Sequence, residues 1–187
     1  MGLDMFLTRK TYVKNWDYMP EEKKHKFSIT VDGKEVDYIN KDKISYIEED
    51  VAYWRKANQV HQWFVDNVQD GRDDCGTYRV SIDQIKSLVE ICEKISESLK
   101  NSEKEEKEVV VGWYNGKEKT GKISVYKDTS VVEELLPPQQ GFFFGSTEIG
   151  DMYLEDIEIT ISQLKPLIDK ESDNNKYFSD YYYHSSW

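Results

Sequence analysis

The sequence predicts an α+β fold, in which a mostly antiparallel sheet carries about three packed helices and a projecting β-hairpin. Strand-like and helix-like segments alternate irregularly along the chain. Two pairs of strand-like segments are separated by Asp32-Gly33 and Asn115-Gly116, dipeptides that favour tight hairpin turns. Three further segments, over about 50–68, 81–99 and 151–168, carry apolar residues at helical spacing over several turns.

Length and composition indicate one folded domain over residues 1–187. Aromatic residues make up 13% of the chain, which is not typical of disorder. The first residues lack the basic region and long apolar run of a secretory leader, and no apolar run approaches the roughly 20 residues that span a bilayer. With only Cys75 and Cys92, we expect a cytoplasmic protein with free thiols and no membrane contact.

The net charge of −11 is unevenly distributed. Residues 1–60 carry 11 basic and 11 acidic side chains, whereas residues 61–187 carry 14 basic and 25 acidic ones. An acidic surface repels a phosphate backbone and attracts basic proteins. We therefore expect no direct binding of nucleic acid, which needs clustered Lys and Arg.

The first half of the chain predicts a short strand over 3–8, a hairpin over 27–39 and a central helix over about 50–68. On that helix Trp54, Val60, His61 and Phe64 share one apolar face, and Trp63 lies nearly opposite. The acids at 48–50 then fall near the N-terminus of the helix, where negative charge is favourable. Residues 44–47 are a further strand or the approach to the helix.

The second half predicts a strand over 77–80 and a helix that starts at Ser81, with Gln84 completing a capping box. Residues 101–108 are a charged linker, and 109–126 a hairpin with a long turn over 117–122; together they suggest an inserted linker and arm over 100–128. A short helix over 129–136, a buried strand over 141–145 and a helix over 151–168 follow, with a strand as the alternative for 157–161. The tyrosines at 181–183 predict a closing strand.

No metal, cofactor or catalytic motif is apparent. The histidines at 25, 61 and 184 are widely separated, and two lone cysteines make no zinc pattern. Residues 66–71 resemble a calcium loop, but Val68 occupies a ligand position. There is no phosphate-binding loop, dinucleotide fingerprint or nucleophile elbow. The sequence favours a protein that is not an enzyme and uses no cofactor, without deciding the question.

His61 has two interpretations. One places it at the edge of the core, bonded to a backbone carbonyl; the other makes it a general base that lines a pocket with Trp54 and Asn58. Ser146 and Thr147, after the apolar run, either bind an anion or cap a helix. These five residues are the ligand-binding candidates.

Four acids on the last predicted helix are candidates for contact with a partner protein. They extend around the helix, so they form either a solvated face or a surface for Lys and Arg. They are Asp151, Glu155, Asp156 and Glu158.

Several blocks together resemble a family of small uncharacterised proteins of bacteriophages and other mobile elements. These blocks are MGLDMFL at 1–7, WRKAN at 54–58 with HQWF at 61–64, GFFFGST at 141–147 and SSW at 185–187. Residues 100–127 are an insertion relative to that pattern. The resemblance implies an accessory protein of a phage or prophage, and it implies no catalytic residues.

By analogy with small acidic proteins of that context, we expect an anti-CRISPR-like inhibitor of a bacterial defence system. Its partner would be a basic host protein, for example an RNA-guided nuclease. The alternatives are a small-ligand or nucleotide-processing protein with a pocket near Trp54, Asn58 and His61, and a structural or assembly component.

Overall fold

The computed structural model describes residues 2–141, 147–173 and 178–187. Within these ranges the chain forms strands, helices and two short 3-10 turns, at Glu21–Lys23 and Lys41–Lys43. The strands are β1 (Asp4–Tyr12), β2 (Thr30–Val31), β3 (Lys34–Glu35), β4 (Tyr46–Arg55), β5 (Tyr78–Val80), β6 (Lys104–Tyr114), β7 (Lys117–Tyr126) and β8 (Ser179–Ser186). The helices are α1 (Asn58–Asn67), α2 (Ile82–Asn101), α3 (Ser130–Leu135) and α4 (Asp151–Asp173).

The main sheet has four antiparallel strands in the order β4–β1–β8–β5. Alternate residues of these strands point into a core that they share with α1, α2 and α4. On the opposite face, the Phe6 ring stacks on His184 at 4.9 Å between centroids and lies 5.2 Å from Tyr53. The α+β class with a mostly antiparallel sheet is confirmed.

The predicted helix over 50–68 is wrong in its first half. Residues 46–55 form β4, Lys56 takes a positive φ of 63°, and α1 begins only at Asn58. Ala52 and Trp54 are buried while Tyr53 and Arg55 are exposed, which is the two-residue period of a strand. Trp54 thus belongs to the sheet, and the acids at 48–50 lie on a strand and not at a helix terminus.

Helix α1 is buried on both sides. Phe64 is 1% exposed and Trp63, on the far side of the predicted stripe, is only 6% exposed. The Trp63 ring packs edge-on against Phe64 with centroids 5.2 Å apart. The helix is therefore central to the core as predicted, although Trp63 is the one tryptophan of that prediction that lies on it.

Helices α2 and α4 pack side by side and run antiparallel. Ser81 caps α2 and Gln84 completes the predicted capping box. The Lys100–Glu158 ion pair, at 2.7 Å, lies towards one end of this contact, and the Glu93–Lys165 pair, at 2.6 Å, lies towards the other. Cys92 is fully buried between them, as its place on the apolar stripe predicts.

Helix α4 continues through Pro166 to residue 173, beyond the predicted end at 168. Ile157, Thr160 and Leu164 are each fully buried, at the three- and four-residue spacing of a helix. The strand alternative for 157–161 is therefore wrong.

The predicted linker over 101–108 is wrong, because β6 starts at residue 104. Its acids and lysines lie on an exposed two-stranded ladder with β7, where Lys122 meets Glu106 at 2.9 Å. The turn is the two residues Asn115 (φ 48°) and Gly116 (φ 74°), both in the left-handed region that a tight hairpin requires. The long turn predicted over 117–122 belongs to β7.

The remaining local predictions are mostly confirmed. Asp32-Gly33 forms a hairpin turn, although β2 and β3 have only two residues each. The short helix after Thr129 is α3, and the closing strand is β8. The strand predicted over 141–145 lies outside the described residues except for residue 141.

Candidate functional site

Trp54 is held by a hydrogen bond inside the core. Its Nε1 donates to Oγ1 of Thr160 at 2.9 Å, and that hydroxyl donates to the backbone oxygen of Asp156 at 2.7 Å. Trp54 is 2% exposed and Thr160 fully buried. This connection joins the edge strand β4 to α4, so Trp54 lies within the core and not on a ligand-accessible surface.

Asp156 ties α4 to α1. Its Oδ2 accepts a hydrogen bond of 2.9 Å from Nε2 of Gln59. Burial raises the pKa of the Asp156 carboxyl, against the lowering effect of the Gln59 bond. Asn58, the first residue of α1, is also largely buried, and its N–H donates to the carbonyl of Lys56 at 2.9 Å.

His61 lies in a chain of three side chains. Its Nδ1 is 2.7 Å from the hydroxyl of Tyr183, and its Nε2 is 2.9 Å from Oδ1 of Asp73. Burial raises the pKa of Tyr183, so the phenol stays protonated and can donate to Nδ1. That assignment leaves the Nε2 proton of a neutral imidazole for Asp73. The predicted bond to a backbone carbonyl is wrong, since both partners are side chains.

Trp54 and His61 are connected through two aromatic rings. The ring of Phe64 stacks on Tyr183 with centroids 3.9 Å apart and lies 5.8 Å from the ring of Trp54. His61 contacts Tyr183 and, at 5.9 Å between centroids, the half-exposed Trp187. Of the two predicted pocket residues, Trp54 thus lies on the core side of Phe64 and His61 lies beside the exposed Trp187.

The remaining ligand and partner candidates lie apart from His61. Thr147 is exposed, and Ser146 lies outside the described residues. Asp151 forms an ion pair with Lys104 at the base of the β6–β7 hairpin, and Glu158 pairs with Lys100. Of the four candidate acids, only Glu155 is exposed without an ion pair within the described ranges.

Gln163 is a site residue that the sequence analysis did not identify. Its side-chain amide bonds twice to the backbone of Tyr53: Tyr53 N–H donates to Oε1 at 2.7 Å, and Nε2 donates to the Tyr53 carbonyl at 3.0 Å. A glutamine on the exposed side of a helix carries no signal for this contact, which depends on the position of β4 at the edge of the sheet.

The acids at 48–50 are exposed on the same edge strand. Lys10 meets Glu48 at 3.1 Å and Arg9 meets Glu49 at 2.6 Å, both from β1. No ion pair to Asp50 is formed within the described residues.

Among the described residues, no cluster of three or more His, Cys, Asp or Glu side chains is arranged to hold a metal ion. Cys75 is exposed and Cys92 buried, and neither forms a disulfide. None of the helices in the described part of the chain has the length and apolar character needed to cross a membrane.

Comparison with known proteins does not identify a family. No family model matches the chain, and neither the curated proteins nor the solved structures yield a significant match.

Proposed function

We propose that this protein is a non-enzymatic inhibitor from a phage or mobile element. In this proposal it acts in the cytoplasm of the bacterial host and binds a basic surface of a defence protein, for example an RNA-guided nuclease. The excess of exposed acid supports the proposal. The resemblance of the sequence blocks to phage proteins supplies the context.

The proposal rests on which charged side chains form ion pairs within the chain and which acids are left without one. Most basic side chains in the described part of residues 61–187 are engaged in ion pairs within the chain. They are Arg79, Lys86, Lys100, Lys104, Lys107, Lys122, Lys127 and Lys165. The acids outnumber the bases in this part, so carboxylates are left over on the surface. Glu90, Glu97 and Glu155 are exposed and form no ion pair within the described ranges. Such a surface attracts and orients a basic partner.

An affinity pull-down from a bacterial host, at low and at high salt, tests the proposal. We expect a stoichiometric complex that weakens as salt rises, because exposed charges are screened within about 10 Å at 0.1 M salt. Replacing Glu90, Glu97 and Glu155 by Lys should weaken the complex. The matched control replaces exposed acids of the neutral first part, Asp17 and Asp37, by Lys and should retain it. A tight complex that is unaffected by salt, or no complex, would contradict the proposal.

One observation favours the alternative, a small-ligand or nucleotide-processing protein. The Asp73–His61–Tyr183 chain places an imidazole between an acid and a phenol beside the half-exposed Trp187. For this function His61→Ala should abolish ligand binding or activity even at temperatures at which the variant is still fully folded. In this arrangement Nε2 carries the proton and Nδ1 accepts from Tyr183, so His61 can receive a proton from a substrate only if the bond between Nδ1 and Tyr183 breaks.

A further inference from the structure

The two halves of the edge strand β4 differ in how their outer backbone groups are used. At Tyr53 the amide of Gln163 accepts from the N–H and donates to the C=O. A residue on a neighbouring antiparallel strand would make the same two bonds. At this position a side chain of α4 therefore takes the place of a next strand.

In the first half of β4, residues 46–50, the N–H and C=O groups of every second residue also point away from β1. Tyr12 pairs with Tyr46, yet the Tyr12 N–H points to the other side and donates to the carbonyl of Phe178 at 2.9 Å. The adjacent Val13 N–H instead bonds to Ser45 across the β1–β4 ladder, at 3.0 Å. Hydrogen-bonded and non-bonded pairs alternate in antiparallel sheets, so the N–H and C=O of Tyr46 face away from β1.

The same alternation applies along the register from Tyr46 to Glu48 and Asp50. Their outer backbone groups make no hydrogen bond within the described residues. Val51 is the extra residue of a bulge in the ladder, between the pairs Thr8–Asp50 and Leu7–Ala52. The bulge separates residues 46–50, the open half of β4, from the second half of the strand, where the side chain of Gln163 bonds to the outer backbone groups of Tyr53.

The side chains of the open half favour a basic strand. Residues 48–50 are three consecutive acids, and Tyr46 and Ile47 beside them are 56% and 41% exposed. The bases that meet these acids, Arg9 and Lys10, come from β1 on the inner side. On the outer side, no basic side chain of the described residues meets them.

We propose that residues 46–50 of β4 are a docking edge for an extended, Lys- or Arg-bearing segment of a partner protein, which adds to the sheet as a fifth strand. Backbone bonds to Tyr46, Glu48 and Asp50 supply affinity, and basic side chains opposite Glu48 and Asp50 supply selectivity. The inference rests on the proposed function and adds a strand-pairing contact at residues 46–50 to the contacts that the surplus acids of residues 61–187 make with the basic partner. A second copy of this chain fits poorly, since antiparallel pairing centred on Glu48 sets carboxylates against carboxylates.

The test is a titration of the isotopically labelled protein with a short synthetic peptide that alternates Lys and Val, followed by amide NMR and hydrogen exchange. We expect the amides of Tyr46, Glu48 and Asp50 to become protected. The Ile47 and Glu49 amides, which face β1, serve as internal controls and should change little. A peptide of equal charge whose lysines are methylated on the backbone nitrogen lacks the N–H groups that face Glu48 and Asp50, and it should not protect these amides.

Two variants of Glu48 separate the contribution of its backbone N–H to peptide binding from the contribution of its charge. Glu48→Pro removes an outward N–H, which an edge strand tolerates, and should abolish protection of Tyr46 and Asp50. Glu48→Gln keeps the N–H and should weaken binding about two- to fivefold, the effect of one exposed ion pair. If Glu48→Pro lowers the melting temperature, the double variant Glu48→Lys with Asp50→Lys provides the test and should abolish binding.

Three results would overturn the inference. They are no binding of the Lys–Val peptide, equal binding of the peptide with methylated lysine backbone nitrogens, and a dimer formed without peptide that Glu48→Pro dissolves. Failure here is distinguishable from failure of the proposed function. If the partner binds elsewhere, the salt-sensitive host complex persists with Glu48→Pro. If the proposed function fails, the unaltered protein forms no such complex either.

Discussion

His61 and Tyr183 lie 122 positions apart in the chain and meet in a buried hydrogen bond of 2.7 Å between Nδ1 and the phenol oxygen. The bond connects α1 to the central strand β8 at the point where the Phe64 ring stacks on Tyr183. The contact is thus both polar and aromatic, and the two contributions can be separated by mutation.

Tyr183→Phe should lower the free energy of unfolding by about 1–2 kcal/mol. The substitution keeps the stacked ring but leaves Nδ1 of a buried histidine without its donor. Urea denaturation at neutral pH measures the change. Tyr182→Phe, on the other face of the same strand, is the matched control and should change stability by less than about 0.5 kcal/mol. Equal effects of the two variants would show that the bond between Tyr183 and His61 does not contribute to the free energy of unfolding.

Thr160→Val should cost about 1–3 kcal/mol, because it leaves the indole N–H of Trp54 unpaired in the core with almost no change in side-chain volume. Thr160→Ser retains the hydroxyl and should cost about 1 kcal/mol for the lost methyl group. Denaturation followed by tryptophan fluorescence measures both. A Val variant as stable as the Ser variant would mean that Trp54 is held by packing alone.

Gln163→Leu should destabilise the protein by about 1 kcal/mol, because water replaces both bonds to the Tyr53 backbone. The more specific measurement is hydrogen exchange, in which the Tyr53 amide should lose protection. Gln163→Glu can still accept from the Tyr53 N–H but cannot donate to its carbonyl, so its Tyr53 amide should remain more protected than in the Leu variant. Unchanged exchange at Tyr53 in the Leu variant would contradict the contact.

Alkaline pH should destabilise the protein. Burial raises the pKa of Cys92 to about 12 and also raises the pKa of Tyr153 and Tyr183. Above about pH 9 the unfolded chain loses these protons while the folded chain retains them, so stability falls as pH rises towards the folded values. Below that pH their contribution is fully present.

Unfolding free energies from about pH 8 to about pH 11 measure this slope. Cys92→Ala should make it shallower, whereas Cys75→Ala, at the exposed cysteine, should leave it unchanged. The two thiols should also differ in reactivity: a thiol reagent should modify Cys75 in the folded protein and Cys92 only after denaturation. Rapid modification of both in the folded state would contradict the burial of Cys92.

The elements that the sequence predicts best have two independent signals. Helix α2 has both a capping box at Ser81 and an apolar stripe, and its start is confirmed. The central helix was misplaced because Trp54 fits the helical stripe of residues 57–65, although Ala52 and Trp54 also alternate with exposed neighbours as in a strand. Residues 104–108, the first half of β6, were predicted as a linker because both faces of this part of the ladder are polar, so burial leaves no two-residue pattern.

The candidate site was less predictable, because its contacts join distant parts of the chain. His61 stood out as a polar residue on an apolar stripe, but its partners, Asp73 and Tyr183, bear no spacing relation to it. The bonds of Gln163 depend on which strand forms the sheet edge, which is set by the tertiary fold. Periodicity describes what a segment buries and not which distant segment it meets.

The position of β8 also bears on biosynthesis. This strand follows every other strand in the chain, yet it lies between β1 and β5, inside the sheet. During synthesis, β1 and β4 therefore emerge long before the strand that completes their sheet, and β1 exposes an unpaired inner edge in the meantime. Such late, long-range pairing slows folding and exposes nascent chains to aggregation. The four-stranded sheet can thus be completed only after residues 179–186 have left the ribosome.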